Sequence, residues 1–273
     1  ARMAAARDRF RADLLASLDA AAARHGIDYL PGAAELGDFD ATSTTIALAP
    51  GGEGGALPRD RLYNTFERYW TEFTARRDGR REWDAYTPYE WRNVGAFVRL
   101  GWRARAWEAA RWLLDDRAPP AWNQWAEVVT PTPRRPFFLG DLPHAWVASD
   151  FVRSALDMFA HAREADSSIV LAAGLPPDWL EAGVALRGLH TASGRLSYAT
   201  RMEGDALVLD VQEGLDPPPG GLVFPWPWEE PPGATWIDGR PAEWHDGELR
   251  IRQVPARVTV LAPRAVRRDC RLA

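Results

Sequence analysis

The chain has 273 residues, of which 46% are hydrophobic and 26% are charged. This balance is typical of a globular protein that can bury a sizeable core, and it excludes a disordered or fibrous chain. The formal net charge of −5 argues against a nucleic-acid groove and against a polybasic membrane surface. No apolar run approaches the roughly 20 residues of a membrane span, so we expect no nucleic-acid partner and no membrane insertion.

The chain contains 14 Trp and a cationic set made entirely of Arg. A Trp side chain offers a large apolar face that suits stacking on sugar rings, although packing in the core is the alternative use. The one cysteine, Cys270, excludes an internal disulfide framework.

Helical spacing of apolar residues predominates up to about residue 164. Glycines such as Gly26 and Gly101 follow these segments as stop signals. The spacing predicts helices over Met3–His25, Arg59–Arg76, Trp91–Leu100, the stretch ending at Asp115, and Ala145–Arg163, with a short apolar helical run at Thr44–Leu48.

Long amphipathic helices alternate with shorter, more apolar helices in this region. The loops before the apolar helices are long and rich in Trp, Tyr, Asp and Glu, whereas the returns are short or rich in Gly. This asymmetry favours a ring of helical hairpins with the apolar helices inside. The chemically rich loops would then lie together at one end of the ring.

After Ser167 the pattern changes to short strands separated by turn signals such as Asp246-Gly247. The predicted strands are Ser168–Ala172, Val184–Leu189, Gly194–Met202, Ala206–Gln212, Gly221–Phe224, Thr235–Ile237, Glu248–Ile251 and Arg257–Leu261. This pattern predicts a small antiparallel β-sandwich. We therefore expect two domains, residues 1–165 and 166–273.

Two loop clusters precede the first apolar helices. The first contains three carboxylates, Glu35, Asp38 and Asp40, which either bind a ligand or cap and complement the following helix. The second offers an aromatic face beside a carboxylate and a guanidinium, an arrangement that suits a hydroxyl-rich ligand. Its candidate residues are Tyr89, Glu90, Trp91 and Arg92, and a capped helix with buried aromatics is the alternative interpretation.

The third cluster is the most informative, because two Trp, two amides and a carboxylate share one Pro-rich loop. Amides and a carboxylate suit directional bonds to hydroxyl groups, and the carboxylate is a candidate acid or base. Its candidate residues are Trp122, Asn123, Trp125 and Glu127. In the fourth cluster, His144 and Trp146 open the last apolar helix, and Asp141 or His144 could bind substrate or orient Glu127.

Other chemistries fit poorly. The five His are scattered without the spacing of metal ligands, and Cys270 lacks a paired His. The Gly-rich segment Gly51–Gly55 lacks the Lys and Ser/Thr of a phosphate-binding loop. We therefore expect neither a metal nor a cofactor.

The order of these motifs resembles the C-terminal half of bacterial glycoside hydrolases with an (α/α)6 toroid, in particular the α-L-rhamnosidases and their relatives. The resemblance rests on the segment Trp122–Glu127, on Pro143–Trp146 at the start of an inner helix, and on the sandwich segment Leu189–Tyr198. It implies that Glu127 is the general base. The resemblance is to bacterial proteins; the compartment stays open, with a secreted or periplasmic location favoured over a cytoplasmic one.

The segment Glu35–Ser43 also resembles the acid-bearing loop of trehalase-like toroid enzymes, which makes Asp38 the second catalytic candidate. A complete toroid has six hairpins, whereas about three can be counted here. The expected fold is therefore a multidomain α and β protein, a partial (α/α)6 toroid followed by a small antiparallel β-sandwich. The missing N-terminal part of the same protein would be a partner, and it would supply the general acid if Asp38 and Asp40 bind sugar instead.

The resemblance implies inverting hydrolysis of a glycosidic bond in an oligo- or polysaccharide. Two other functions remain open. In a polysaccharide lyase, His144 would be the base, Tyr86 or Tyr89 the acid, and Arg92 the group that neutralises a uronate. A glycan-binding module without catalytic activity would need only the aromatic and polar residues.

Overall fold

A computed structural model of the protein describes residues 2–117, 119–132, 138 and 140–262. Cys270 and part of the Pro-rich loop over residues 118–143 lie outside this description. The chain combines helices with largely antiparallel sheets, so the predicted mixture of α and β structure is confirmed. It divides into two compact units, one formed by residues 1–100 and 108–154 and the other by residues 101–107 and 155–273.

In the described part of the chain, a series of helices precedes the first strand. Their bounds are α1 (Arg2–His25), α2 (Ala41–Leu48), α3 (Arg59–Arg77), α4 (Trp91–Arg99), α5 (Arg103–Asp115) and α6 (Ala145–Phe159). Each lies where the spacing predicts a helix. No helix in the described ranges is both long enough and apolar enough to cross a membrane.

Local side-chain chemistry sets where these helices begin and end. Asp40 caps α2 by accepting a hydrogen bond from the Ser43 backbone N–H, so α2 begins at Ala41, before the predicted run. Thr87 accepts from the Tyr89 N–H and starts a short 3-10 turn that leads directly into α4. Gly101 has a φ of 77°, a left-handed conformation that ends α4.

The core of the first unit is built largely from aromatic side chains of α3, α4 and α5. Phe66, Phe73 and Phe97 are fully buried, and the Phe73 ring lies edge-on to Trp112 with ring centroids 5.4 Å apart. Polar contacts also join α2 to α4, where the Asn93 side-chain amide donates to Thr42 Oγ1. These contacts hold the ends of α3 and α4 beside the segment that begins α2.

The helix predicted over Ala145–Arg163 is shorter than expected. It ends at Phe159 because Ala160–Arg163 forms strand β1, which pairs antiparallel with strand β2 at Ser168–Leu171. The division between the units lies between Ser154 and Ala155, earlier in the chain than the predicted domain boundary at 165.

The second unit also takes in the start of α5, which the sequence assigns to the first domain. The Arg103 guanidinium donates hydrogen bonds to the backbone carbonyls of Ala172, Leu175 and Pro225. Burial lowers the pKa of Arg103 to about 10. The side chain of Arg103 therefore fixes residues 101–107 to the second unit.

The further described strands of the second unit are β3 (Val184–Thr191), β4 (Gly194–Glu203), β5 (Ala206–Val211), β6 (Leu222–Pro225), β7 (Thr235–Ile237), β8 (Arg240–Pro241), β9 (Glu248–Ile251) and β10 (Ala256–Leu261). With β1 and β2 they form two sheets, with strand orders β1-β2-β6-β9 and β3-β4-β5-β10-β7-β8. All neighbouring pairs are antiparallel except β2 and β6. The sequence did not predict β1, β8 or the helix α7 (Pro177–Ala182). Stacking of the two sheets as a sandwich stays a prediction.

Candidate functional site

Backbone hydrogen bonds join three of the four predicted loop clusters in the first unit. Two bonds tie the second cluster to the third, and two more tie the third to the fourth. They are Tyr86 N to Val129 O and its reciprocal, Glu127 N to Asp141 O, and His144 N to Trp125 O, all between 2.9 and 3.0 Å. These loops are therefore held side by side.

Tyr89 and His144 form the centre of the group that results. The Tyr89 hydroxyl and His144 Nε2 are hydrogen-bonded at 2.6 Å, and His144 Nδ1 lies 3.6 Å from Asp141 Oδ2. The Asp141 side chain is 82% exposed, whereas that of His144 is 11% exposed. We call the side chains of Tyr89, Arg92, Glu127, Asp141, His144 and Trp146 the Tyr89–His144 cluster.

Glu127 is half-buried and packs directly against Gly140. Gly140 has a φ of 62°, and a Cβ there would lie 2.7 Å from the Glu127 Cβ and would overlap the carboxylate. Partial burial, reinforced by the negative charge of Glu127, raises the pKa of Tyr89 above its usual value. The Glu127 carboxylate therefore acts electrostatically on a phenol that stays protonated at neutral pH.

Arg92 is already paired with Asp150, a residue outside the cluster. Its Nε donates to Asp150 Oδ2 at 2.7 Å, and its guanidinium lies 4.6 Å from the centre of the Tyr89 ring. Asp150 is buried and also lies 3.4 Å from the Arg153 guanidinium. Arg92 thus supports the Tyr89 ring while its charge is largely balanced.

The predicted Trp contacts divide into exposed and buried groups. Trp146 is 68% exposed, and its ring lies 6.2 Å from that of Tyr89; Trp122 is 57% exposed. Trp91 and Trp125 are 1% and 3% exposed and lie edge-on to each other. The prediction that these two rings stack on a sugar does not fit their burial, because the Phe151 ring packs against both of them.

Asn123 lies beside exposed Trp122 on the third loop. It adopts a left-handed conformation with a φ of 51°, and its side-chain oxygen accepts a hydrogen bond from Arg117. Trp122 and Asn123 are both exposed, and Asn123 can offer its amide nitrogen to a ligand.

A second feature of the first unit is an open cavity of about 560 Å³, which we call the Phe39–Glu90 cleft. Residues of the first and second loop clusters line it together with side chains of α3. Its aromatic lining is Phe39, Tyr69, Phe73 and Trp83, and its charged lining is Asp40, Glu72, Arg76, Arg81, Glu82, Asp84 and Glu90.

Glu90 lines this cleft, and both of its oxygens accept hydrogen bonds from protein groups. Arg76 Nη1 and Nη2 donate to its two oxygens at 2.9 and 2.6 Å, and the Tyr69 hydroxyl donates to Oε2 at 2.6 Å. Glu90 is only 7% exposed. The prediction that Glu90 holds substrate hydroxyls does not fit this geometry, because its acceptor sites serve a buried ion pair.

The first loop cluster is mainly structural. Both Asp40 oxygens accept from Ser43, which is the capping role weighed for this residue, although Asp40 also lines the cleft. Asp38 is exposed and accepts from the Ala33 N–H within its own loop, and Glu35 is exposed. These contacts leave Asp38 and Glu35 facing solvent.

Sequence reasoning missed Tyr69 and Arg76 as parts of a polar site. The helical spacing of Tyr69, Phe73 and Arg76 places all three along one side of α3, which is the signal for this face. The spacing predicts core packing for Tyr69 and Phe73; both are buried, and together with Arg76 they also line the cleft.

Over the ranges that the structure describes, no group of three His, Cys, Asp or Glu side chains is placed to hold a metal ion. No protein-family model matches the chain, and no curated protein matches its sequence. The geometry of the Tyr89–His144 cluster and of the cleft is therefore the basis for a functional proposal.

Proposed function

We propose that the protein is a glycoside hydrolase in which a partial (α/α)6 toroid precedes a β-sandwich, with Glu127 as the general base of an inverting reaction. The observation that supports this most strongly is the position of Glu127. Its half-buried carboxylate acts electrostatically on Tyr89 of the hydrogen-bonded Tyr–His pair, and the cluster also contains an exposed Trp. A carboxylate, polar groups and an aromatic face together suit a sugar.

In this reaction Glu127 takes a proton from water, and the oxygen of that water attacks the anomeric carbon. The bond from that carbon to the leaving oxygen breaks as a carboxylic acid protonates the oxygen. The two carboxyl groups of an inverting enzyme lie roughly 6.5–9.5 Å apart. Asp38, or a carboxyl group elsewhere in the complete protein, would supply the acid.

The other residues of the cluster would position the sugar. Trp146 offers an exposed ring for stacking, and Trp122 offers a second one on the third loop. His144, Asp141 and Asn123 offer polar groups for hydroxyls. Arg92 would act indirectly, because it is held by Asp150 and supports the Tyr89 ring.

Product analysis tests the reaction class. The complete protein is incubated with neutral glycans, and new reducing ends are counted while the anomeric configuration is followed by NMR. Hydrolysis with inversion, lost in Glu127→Gln and retained in Glu229→Gln, is the expected result. Glu229 is an exposed carboxylate of the second unit and serves as the matched control. Cleavage that survives in Glu127→Gln would overturn the assignment.

The 2.6 Å bond between Tyr89 and His144 favours one other function, that of a polysaccharide lyase. His144 would remove the proton α to a uronate carboxylate, and Tyr89 would protonate the leaving oxygen as the bond to it breaks. The pairing of Arg92 with Asp150 weighs against this, because it leaves less charge to neutralise a uronate. An unsaturated product, seen as a rise in ultraviolet absorbance that His144→Ala abolishes, would identify the lyase.

A further inference from the structure

The Phe39–Glu90 cleft has the size and lining of a ligand site. Its volume of about 560 Å³ lies within the range of roughly 300–1,000 Å³ that small-molecule sites occupy. Aromatic rings of Phe39 and Trp83 share its walls with charged side chains. A cleft of this volume accommodates a sugar ring together with its substituents.

The charge of the cleft is strongly unbalanced. Five carboxylates and two guanidiniums line it, and both guanidiniums are already paired with lining carboxylates. Arg76 is held by Glu90, and Arg81 lies 3.4 Å from Glu72. Each lining guanidinium therefore already faces a lining carboxylate, which leaves the cleft with a net negative charge.

The excess negative charge is concentrated on the segment that follows α3. Glu82 and Asp84 are exposed, and among the described residues neither has an ion-pair partner. Trp83 lies between them in sequence and is half-buried, with its ring edge-on to Tyr86 at 5.6 Å. Two carboxylates therefore flank a partly accessible indole.

A protonated amine on a sugar ring matches this combination. The ring's apolar face would contact the indole, and the ammonium group would lie near the carboxylates and the aromatic faces, both of which attract cations. A uronate would place a negative charge among carboxylates and would be repelled. An N-acetylated sugar would offer the same ring without the charge.

We propose that the Phe39–Glu90 cleft is a subsite for a sugar residue that carries a free, protonated amine. The proposal rests on the proposed function in one respect, because it takes the ligand to be part of a glycan. It adds the substrate class that the Tyr89–His144 cluster leaves open. It also disfavours uronate polymers as ligands of this cleft.

Calorimetric titration of the complete protein near pH 5.5 tests the proposal, since carboxylates are ionised and a sugar amine is protonated there. The probes are a glucosamine trimer, an N-acetylglucosamine trimer, a galacturonate trimer and 1,4-diaminobutane. We expect the glucosamine trimer to bind at least about fivefold more tightly than the N-acetylated trimer, with the difference shrinking as salt is added. The galacturonate trimer should bind most weakly of the three sugars.

Substitutions inside and outside the cleft test which side chains cause the preference for the free amine. Glu82→Gln combined with Asp84→Asn should remove most of the preference for the free amine, because it removes the unpaired charge. Asp13→Asn, which neutralises an exposed carboxylate on α1 outside the cleft, should leave the preference intact. Trp83→Ala should weaken both neutral and amino trimers, since it removes the stacking face.

Several results would overturn the proposal. They are equal binding of the free and acetylated amines, tightest binding of the galacturonate trimer, a preference that survives the double variant, and binding of the diamine as tight as that of the amino trimer. Turnover of neutral glycans that depends on Glu127 but shows no amine preference would remove the subsite and leave the hydrolase. Amine-selective binding without Glu127-dependent turnover of any glycan would support the subsite and overturn the proposed hydrolase.

Discussion

At the scale of single residues, Arg76 and Glu90 form a largely buried ion pair in the first unit. The two side chains are 12% and 9% exposed, and the Arg76 guanidinium lies 4.5 Å from the centre of the Tyr86 ring. Burial together with the charge of Glu90 raises the pKa of Tyr69 well above its usual value. Such a pair is costly to break, because the remaining partner keeps a buried charge.

We therefore expect Glu90→Gln to lower the free energy of unfolding by about 3 kcal/mol. Urea unfolding followed by tryptophan fluorescence measures this change. Asp8→Asn is the control, because Asp8 and Arg7 form an ion pair whose side chains are about 60% exposed, and it should change stability little. Equal effects of the two substitutions would contradict the structural role assigned to Glu90.

Several single-residue roles were readable from the sequence, and others were not. Asp40 precedes a helix and caps it, because a local hydrogen bond to Ser43 needs no information from the rest of the chain. Glu90 and Trp91 depend on distant partners, Arg76 on α3 and Phe151 on α6. Spacing along one segment does not indicate which distant side chain will cover it, so both residues were expected to face a ligand.

At the scale of elements, the position of Glu127 depends on the backbone of a neighbouring loop. Gly140 leaves room for the Glu127 side chain, and the Glu127 N–H donates to Asp141 O at 3.0 Å. The third and fourth loops therefore jointly fix the position of the Glu127 carboxylate. The sequence identified both loops but could not show that one is shaped around the other.

In the proposed reaction, Gly140→Ala should displace the Glu127 carboxylate and lower kcat by about tenfold or more, because the general base must be placed close to the attacking water. Gly101→Ala is a matched control, since Gly101 also has a positive φ but a Cβ there would meet nothing within 4 Å. Both variants should lose about 1 kcal/mol of stability from backbone strain. Equal kcat values in the two variants would show that Gly140 does not position Glu127.

The strands of the second unit are linked by a network of ion pairs. Arg163 on β1 forms an ion pair with Glu248 on β9 at 2.6 Å. Asp166 forms ion pairs with both Arg163 and Arg250. Burial acts in the opposite direction, but hydrogen bonds from Arg163, Ser168 and Arg250 lower the pKa of Asp166. The charged form of Asp166 is therefore stabilised in the folded state.

A lowered pKa in the folded state means that the stabilisation is present above the unfolded value of about 3.8 and is lost as the pH falls below it. Asp166→Asn should therefore destabilise the second unit at pH 7 and have a smaller effect at pH 3. Chemical denaturation of both proteins at the two pH values measures the difference. A cost that is equal or larger at pH 3 would contradict the charge-dependent role.

At the scale of the whole molecule, the order of helices followed by strands was predictable because it rests on local periodicity. Apolar spacing located α1 to α6, and turn signals such as Asp246-Gly247 separated most of the strands. The end of α6 was misplaced because Ala160–Arg163 has helical spacing but pairs with β2. Residues 101–107 join the second unit through Arg103, whose carbonyl partners are far away in sequence.

Rescue by azide tests most directly the proposal that Glu127 activates water. The measurement is the turnover rate of the Glu127→Ala variant on a glycan substrate of the proposed reaction, with and without sodium azide. We predict a loss of at least about a hundredfold, partly reversed as azide attacks in place of activated water and yields a glycosyl azide of inverted configuration. A folded variant that keeps its native rate, or whose lost rate azide does not restore, would contradict the claim.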